Sequence, residues 1–441
     1  MALAKGVYTL FTIILLVVGL NYSRPASAQL WNANSDFLID RDRAGGRLLT
    51  GLGWTRITAN GKGSVVNYAP ISLYPEFTMA KLRAGLAIDL LVNMEDDPGG
   101  NRIKRADLKA GHLFRYVRYG DLSEPLYLHA GALERVFLGN GFIVSRYSNQ
   151  IADQKRRTGL WFRVDGVQGG IEGFLSNIGT REIYGARAFI RPVRGRLSKL
   201  TFGVTIVIDD DPSRGRTVLP SLSAEVVGAD ISYPIEENLV YSLIGYGDFA
   251  KLLDSGRGGA LGIRLEVPKF LGLFSLTARL EQHFLGAGFV PAFFDETYEV
   301  TSIQADGQSK MDQFRSLPAS RGTLGAFEAM ILNRLKIMAS YRTLYGRNAE
   351  GIFHGEAHLI HTIPKLSIRA VYDKQGVGSL TDLRKLDNRS IAQAEATYRI
   401  YQILLLGFEY RWTFAFDENP NVYTFRPLER FTAKLMFETV F

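Results

Sequence analysis

Segments in which apolar and polar residues alternate recur along this chain and constrain its fold more than any other feature. The clearest spans residues 404–416, where large apolar side chains occupy every second position and Gly407, Glu409, Arg411 and Thr413 lie between them. Because successive side chains of a strand point to opposite faces, this stretch has one apolar and one polar face. No stretch beyond residue 28 contains eighteen consecutive apolar residues, which excludes spanning helices there. The sequence therefore predicts an all-β fold.

The same period of two returns in residues 200–208, 261–267, 274–280 and 335–341. It also marks the C-terminal stretch, residues 430–441. One face of that stretch carries Phe431, Ala433, Leu435, Phe437, Thr439 and Phe441, and the other carries Thr432, Lys434, Met436 and Glu438. A soluble sheet edge shows such alternation in one strand, but a soluble sandwich rarely needs so many. A transmembrane antiparallel β-barrel turns the apolar rows to lipid and keeps the charged rows in its lumen.

The N-terminus has the pattern of a secretory signal peptide. Residues 1–28 contain Lys5, an apolar run over residues 7–20, and Ala26-Ser27-Ala28 as a cleavage site before Gln29. Cleavage removes Lys5 and Arg24 and lowers the formal charge from +8 to 8 − 2 = +6. The alternative is an uncleaved membrane anchor. We expect residues 29–47 to form an N-terminal periplasmic segment and residues 48–441 to form the barrel.

The connections between the predicted strands alternate between short and long. Counted back from the C-terminus, tight turns such as residues 333–334 and 401–402 alternate with long connections such as residues 286–320 and 417–428. Bacterial barrels have short periplasmic turns and longer external loops, and this places the C-terminus in the periplasm. We count about 18 strands, with 16 as the alternative, and only one of residues 48–59 and 65–77 fits the count of 18.

Taken together, the signal peptide, the alternating segments, the asymmetric connections and the terminal Phe441 resemble the porin-like outer-membrane β-barrel proteins of Gram-negative bacteria. No narrower family is matched. In that family the barrel assembly machinery reads a C-terminal aromatic residue on an alternating last strand. The resemblance thus implies location in the cell outer membrane, contact with outer-membrane lipid, and an assembly signal formed by Leu435, Phe437 and Phe441.

A basic segment, residues 101–120, departs from the alternation and suggests a short helix near residues 101–119. Strand counting places it on the periplasmic side. Two interpretations remain open: a constriction or partial plug folded into the lumen, or a helix lying across the barrel mouth. In either case its cations would lie in the permeation path of an open lumen; they are Arg102, Lys104, Arg105, Lys109, Arg115 and Arg118.

Alternation also assigns a set of arginines to the lumen, interleaved with carboxylates such as Asp165, Glu266 and Glu409. Rings of Arg and Lys favour anions in pores, so these residues predict a lining that attracts small polar or anionic solutes. The alternative is a set of cross-strand ion pairs that fill a closed barrel. The lumen arginines are Arg163, Arg187, Arg264, Arg279, Arg369, Arg399 and Arg411.

We expect no catalytic residues, bound metal, cofactor or nucleic-acid partner, and hence no enzyme. The chain has no cysteine, which excludes disulfides and thiolate chemistry, and its positive and negative residues are interleaved. His354, Glu356 and His358 point the same way on a strand, but their spacing is not that of the helical zinc motif. We interpret them as hydrated lumen residues.

Two functions from different classes remain. The first is a passive porin-like channel or uptake protein for small polar or anionic solutes. The second is a structural or surface-interaction barrel that acts through its long extracellular loops. Residues 286–320 carry Phe289, Phe293, Phe294 and Tyr298, an aromatic cluster that would dock a partner or fold back as a lid.

Overall fold

The fold is given by a computed structural model. It describes residues 45–59, 64–94, 103–106, 114–150, 157–180, 182–193, 195–210, 223–302, 309–346, 351–363, 365–416 and 425–441. The predicted signal peptide and residues 29–44 lie outside the described residues. In the described ranges, no helix is long and apolar enough to cross a membrane.

The described chain forms one antiparallel sheet that closes on itself. Closure joins the first strand to the last, from Arg47 opposite Val440 to Ala59 opposite Leu428. This removes both sheet edges and confirms the predicted all-β barrel. The strands are β1 Gly45–Ala59, β2 Ser64–Met79, β3 Leu82–Leu86, β4 Ile88–Asn93, β5 Ile103–Ala106, β6 Phe114–Tyr119, β7 Leu126–Gly131, β8 Gly159–Asp165, β9 Gly169–Leu175, β10 Ile183–Ile190, β11 Thr201–Asp209, β12 Ala224–Glu237, β13 Ser242–Leu252, β14 Arg257–Phe270, β15 Phe274–Leu285, β16 Ser320–Ile331, β17 Leu335–Tyr345, β18 Gly351–Ile363, β19 Leu366–Val377, β20 Ser390–Tyr401, β21 Leu404–Phe416 and β22 Phe425–Val440.

These 22 segments make 20 barrel strands among the described residues. β3 and β4 both pair with β2, so they form one strand interrupted at Ala87. β5 pairs with β4 and β6 pairs with β3, so they form the next strand, giving 22 − 2 = 20. The predicted counts of 18 and 16 are therefore wrong. Residues 48–59 and 65–77 both belong to the barrel, as parts of β1 and β2, and the basic segment adds another strand.

The basic segment near residues 101–119 is strand where it is described, so the predicted helix is wrong there. A register shift between Gly85 and Leu86 leaves Arg115 as an extra residue between Phe114 and Tyr116. Such a bulge moves the following side chains to the other face and breaks the period of two in the sequence. Apolar and polar residues therefore do not alternate in the sequence of this segment, although the segment lies in the sheet.

The two ends of the barrel differ in the lengths of their connections. Short turns connect strands at the end of the barrel that also holds the start of β1 and the end of β22; they include residues 80–81, 271–273, 332–334 and 402–403. Leu332 and Asn333 have φ of 54° and 53°, the left-handed backbone of a tight hairpin. Longer connections, including residues 132–158 and 286–319, leave from the opposite end. The predicted alternation of short and long connections is confirmed. We call these the turn end and the loop end.

The outward faces of the strands are apolar and the inward faces are polar. On β11, Phe202, Val204 and Ile206 are exposed, whereas Gly203 and Thr205 between them are buried. On β22, the outward Leu435 and Phe437 are exposed, as is Phe441 directly after the strand, and the inward Lys434 and Glu438 are buried. The faces predicted for the last strand are therefore confirmed. Such an exterior suits hydrocarbon, since soluble monomers rarely expose large continuous apolar surfaces.

Two long connections from the loop end fold into the barrel. We call residues 132–150 the first inner loop, and residues 286–302 with 309–319 the second inner loop. The second contains two short helices, α1 Tyr298–Thr301 and α2 Lys310–Arg315. The backbones of the loops join directly, because Ala292 N donates to Phe142 O at 2.7 Å and Ser145 N donates to Phe294 O at 3.0 Å. Their side chains make up much of the largest buried apolar cluster of the described chain.

Candidate functional site in the barrel lumen

Polar contacts to the wall fix the first inner loop inside the lumen. Gly139 N donates to Glu172 Oε1 on β9 at 2.7 Å, and Asn140 Nδ2 donates to both Asp248 oxygens on β13 at 3.3 Å. Farther along the loop, Arg146 Nη1 donates to Ser340 Oγ on β17 at 2.6 Å. These partners lie on inward faces of well-separated strands, so the loop spans the lumen between them.

Arg135 also ties the first inner loop to the wall. It forms an ion pair with Glu356 on β18, and Glu356 also accepts from Arg369 Nε on β19 at 3.3 Å. The side chains of Arg135, Glu356 and Arg369 are 9%, 4% and 8% exposed. Because the carboxylate is shared by two buried guanidinium groups, losing its charge would remove the ion pair of Arg135 and leave Arg369 with Glu134, which lies 3.9 Å away.

The second inner loop turns its aromatic residues inward. Phe293, Phe294 and Tyr298 are buried in mutual ring contact. Lys310 lies over the rings of Phe293 and Tyr298 and donates from Nζ to Phe293 O at 3.0 Å. Burial lowers the pKa of Lys310 from its ordinary value, because it penalises the charged ammonium. Of the two roles predicted for this cluster, the fold-back arrangement is the one observed.

On the side of the barrel that faces the inner loops, the predicted lumen arginines are paired with carboxylates. Arg187 donates from Nε and Nη2 to Asp230, both at 2.7 Å, and lies 3.2 Å from Glu172. Arg279 pairs with Glu281, and its side chain is 5% exposed. Two more pairs follow the same pattern, Arg163 with Asp165 at 2.9 Å and Arg264 with Glu266 at 2.8 Å. This part of the lumen, which we call the packed half, matches the ion-pair ladder interpretation.

On the opposite side, several inward charged side chains are partly exposed. The exposed fractions are 36% for Arg115, 31% for Arg399, 37% for Arg411, 27% for Glu395 and 37% for Glu134 of the first inner loop. Side chains that point inward yet remain accessible border water inside the barrel. We call the wall formed by β20–β22 and β1–β6 the hydrated half.

A chain of charges crosses the closing seam of the barrel near the turn end. Arg399 on β20 pairs with Glu438 on β22, and Glu438 accepts from Arg47 Nε on β1 at 2.5 Å. Arg47 lies 3.5 Å from Glu76 on β2, which lies 3.1 Å from Arg115 on β6. The ladder therefore links five strands through three arginines and two glutamates.

A second polar cluster lies in the hydrated half, nearer the loop end than this ladder. Lys434 Nζ donates to Ser72 Oγ at 2.8 Å and to Tyr74 OH at 3.0 Å, and it lies 3.6 Å from Asp89. Farther around the wall, Arg411 pairs with Glu409. Between these groups and the seam ladder, Leu49, Leu405 and Met436 form a buried apolar cluster, so the polar lining of the hydrated half is interrupted there.

The remaining predicted lumen and constriction residues have mixed positions. Arg118 is buried opposite Arg83 on β3. Arg105 lies on β5 opposite Leu91, and its side chain is outside the described residues, as are Arg102 and Lys109. The prediction that these basic residues form a constriction stays a prediction.

Sequence reasoning missed Arg47, Glu134, Arg135 and Arg146. Arg47 precedes the predicted first strand by one residue, and extending the alternation of β1 back to Gly45 would have found it. The other three belong to the first inner loop, which has no regular strand or helix and therefore no periodic signal.

The histidine segment on β18 is already engaged by protein groups. His354 Nδ1 lies 2.5 Å from Asp373 Oδ1, and Glu356 is held by Arg135 and Arg369. Throughout the described ranges, no group of three His, Asp or Glu side chains has a geometry that would hold a metal ion.

Comparisons with known proteins leave the family open. No family model matches the chain, and no curated protein matches it. Three solved Pseudomonas aeruginosa structures are similar over 90% of this chain: OpdO (12% identity, 97% of its chain, TM-score 0.36), OccK9 (OpdG; 14%, 99%, 0.34) and OccK11 (OpdR; 11%, 96%, 0.34). At these scores the likenesses carry no argument about function, and the barrel stands on its own strand pairing.

Proposed function

We propose that this chain is a passive outer-membrane channel for small polar solutes, with a preference for anions. The observation that carries the proposal is the hydrated half: inward charged side chains that remain 27–37% exposed inside a closed barrel with an apolar exterior. Closed barrels satisfy every backbone hydrogen bond between strands, which suits them to a hydrocarbon environment.

The charge of the hydrated half favours anions. Eight inward cationic residues oppose five inward carboxylates among the described residues of β20–β22 and β1–β6, an excess of 8 − 5 = +3. Rings of basic side chains lower the barrier for anions in a pore. The cationic residues are Arg47, Arg83, Arg115, Arg118, Arg399, Arg411, Arg430 and Lys434, and the carboxylates are Glu76, Asp89, Glu395, Glu409 and Glu438.

The inner loops support a selective channel more than a surface-docking barrel. Phe289, Phe293, Phe294 and Tyr298 are at most 2% exposed, so the described aromatic side chains of the second inner loop are not presented to an external partner. Instead, they fill the packed half and confine the accessible space to the hydrated half. We therefore place the surface-interaction function second.

Reversal-potential measurements in planar bilayers under a salt gradient test this function. The wild-type protein is expected to form discrete channels whose reversal potential indicates anion preference. Arg411→Gln should shift that potential toward cations, because it removes a partly exposed charge from the path. Arg257→Gln is the matched control, since Arg257 is exposed on β14 beside the buried, inward Gly258. Absence of conductance, or equal shifts in both variants, would overturn the proposal.

A further inference from the structure

A cavity between the inner loops and the wall has a lining rich in hydrogen-bond donors. Arg146 and Ser145 come from the first inner loop, and His283, Arg279, Arg342 and Ser340 come from β15 and β17. Pro291 and Ala292 of the second inner loop complete one side. The cavity therefore lies where both loops meet the packed half, away from the exposed charges of the hydrated half.

Arg342 is the least compensated charge of this lining. Its Nη1 donates to the backbone carbonyl of Pro291 at 2.9 Å, and no carboxylate of the described residues lies within ion-pair distance. Asp295, Glu296 and, more weakly, Glu281 act on Arg342 electrostatically. However, Asp295 lies 3.5 Å from Lys310, and Glu296 lies 3.2 Å from Arg146. Arg342 is half-buried, and a partly desolvated guanidinium without its own carboxylate favours an anion beside it.

One further donor of the lining is buried and unsatisfied. Arg146 Nε has no hydrogen-bond partner among the described residues. The carboxylate that also lines the cavity, Glu281, is occupied, because it pairs with Arg279, accepts from Tyr246 OH at 2.7 Å and lies 2.8 Å from His283 Nε2. Since buried polar groups are normally paired, the unsatisfied Arg146 Nε calls for an acceptor in this cavity.

We infer that this cavity is a binding site for a small monovalent anion, either a halide or a single carboxylate group. Its volume of about 30 Å³ exceeds the roughly 10–15 Å³ that one water needs, but it does not admit a large organic anion. The anion accepts from Arg342 and Arg146 and thereby links the wall to the first inner loop. Anion binding at this site does not depend on solute transport, so it can be tested separately from the channel function.

Thermal unfolding of the purified full-length protein in detergent tests the site. Chloride is exchanged for gluconate at constant ionic strength, and formate replaces chloride in a parallel series. The midpoint is expected to rise saturably with chloride or formate but not with gluconate, because only a ligand that binds the folded state stabilises it. A response to formate alone would identify a carboxylate site, and a response to chloride alone would identify a halide site.

Arg342→Gln is expected to raise the half-saturating anion concentration by roughly tenfold or more, the factor for one lost charge-assisted hydrogen bond. Arg315→Gln, on α2 of the second inner loop and exposed, should leave it unchanged. An equal midpoint rise in gluconate, or an unchanged response in Arg342→Gln, would overturn the site.

Bromide diffraction on the wild-type protein gives an answer that needs no variant. Crystals grown in bromide are expected to show an anomalous peak within about 4 Å of the Arg342 guanidinium, the distance limit of an ion pair. Bromide peaks confined to the protein exterior would contradict the proposal. Loss of conductance in bilayers with a bromide peak in the cavity would instead contradict only the channel function.

Discussion

Replacing Glu356 by glutamine should loosen the first inner loop. Glu356 holds Arg135 of that loop and Arg369 of the wall, and its side chain is 4% exposed. Removing one partner of a buried ion pair costs about 3–5 kcal/mol. Glutamine keeps one amide oxygen as an acceptor, so the expected loss is that of one charge-assisted hydrogen bond, about 1.5–3 kcal/mol. This corresponds to roughly a 10- to 150-fold larger population of the opened loop.

Limited proteolysis of residues 132–150 measures this population, because cleavage follows the opening equilibrium when opening and closing are fast. Hydrogen exchange of the same residues gives an independent readout. The expected result for Glu356→Gln is faster cleavage within the loop together with larger or more variable single-channel conductance. Glu395→Gln is the matched control, since Glu395 is 27% exposed and lies 4.0 Å from Arg411. Equal cleavage rates in wild type, Glu356→Gln and Glu395→Gln would refute the anchoring role of Arg135.

Three further predictions concern assembly, closure and pH. Phe441→Ala should lower the yield of folded barrel in the outer membrane, measured by the heat-dependent mobility shift; an unchanged yield would argue against its role as an assembly signal. Gly53→Ala should impair closure in the same assay, because its Cβ would lie 2.0 Å from Ala433 O, whereas Gly325→Ala has nothing within 4 Å and should fold normally. Burial lowers the pKa of Lys310 in the folded protein below the ordinary 10.5. Between these two pKa values the unfolded loop is protonated at Lys310 and the folded loop is not, so the stability of the folded loop rises with pH. Hydrogen-exchange protection of α2 should therefore rise with pH across this window. Lys310→Met should abolish this rise, and a rise that persists in the variant would assign it to another group.

The last strand shows what the sequence could predict. Every second residue of β22 faces lipid-like surroundings, and a period of two assigns both faces without any tertiary information. The same reasoning predicted that Arg264 and Glu266 share a face, and they lie 2.8 Å apart. Local periodicity was sufficient to assign the inward and outward faces of a strand wherever that strand is regular and uninterrupted.

The strand count failed where the period is broken. The bulge at Arg115 hides the strand formed by β5 and β6 from a search for alternation, and the count of 18 admitted only one of residues 48–59 and 65–77, although both are strands. The first inner loop was beyond reach for a different reason, because pairs such as Arg135 with Glu356 join residues 221 positions apart. Nothing local distinguishes such a loop from an external one, so the division into a packed and a hydrated half required the structure.

Thiol accessibility inside the barrel tests the central claim, that the solute path follows the hydrated half. The chain has no cysteine, so single cysteines can be introduced without background. Gln393 lies opposite Arg411 on the inward face of the hydrated half, whereas Thr277 is 3% exposed on β15 in the packed half. A charged methanethiosulfonate reagent is expected to block the current through Gln393→Cys and to leave that through Thr277→Cys unchanged. Block of Thr277→Cys alone would contradict the assignment of the path.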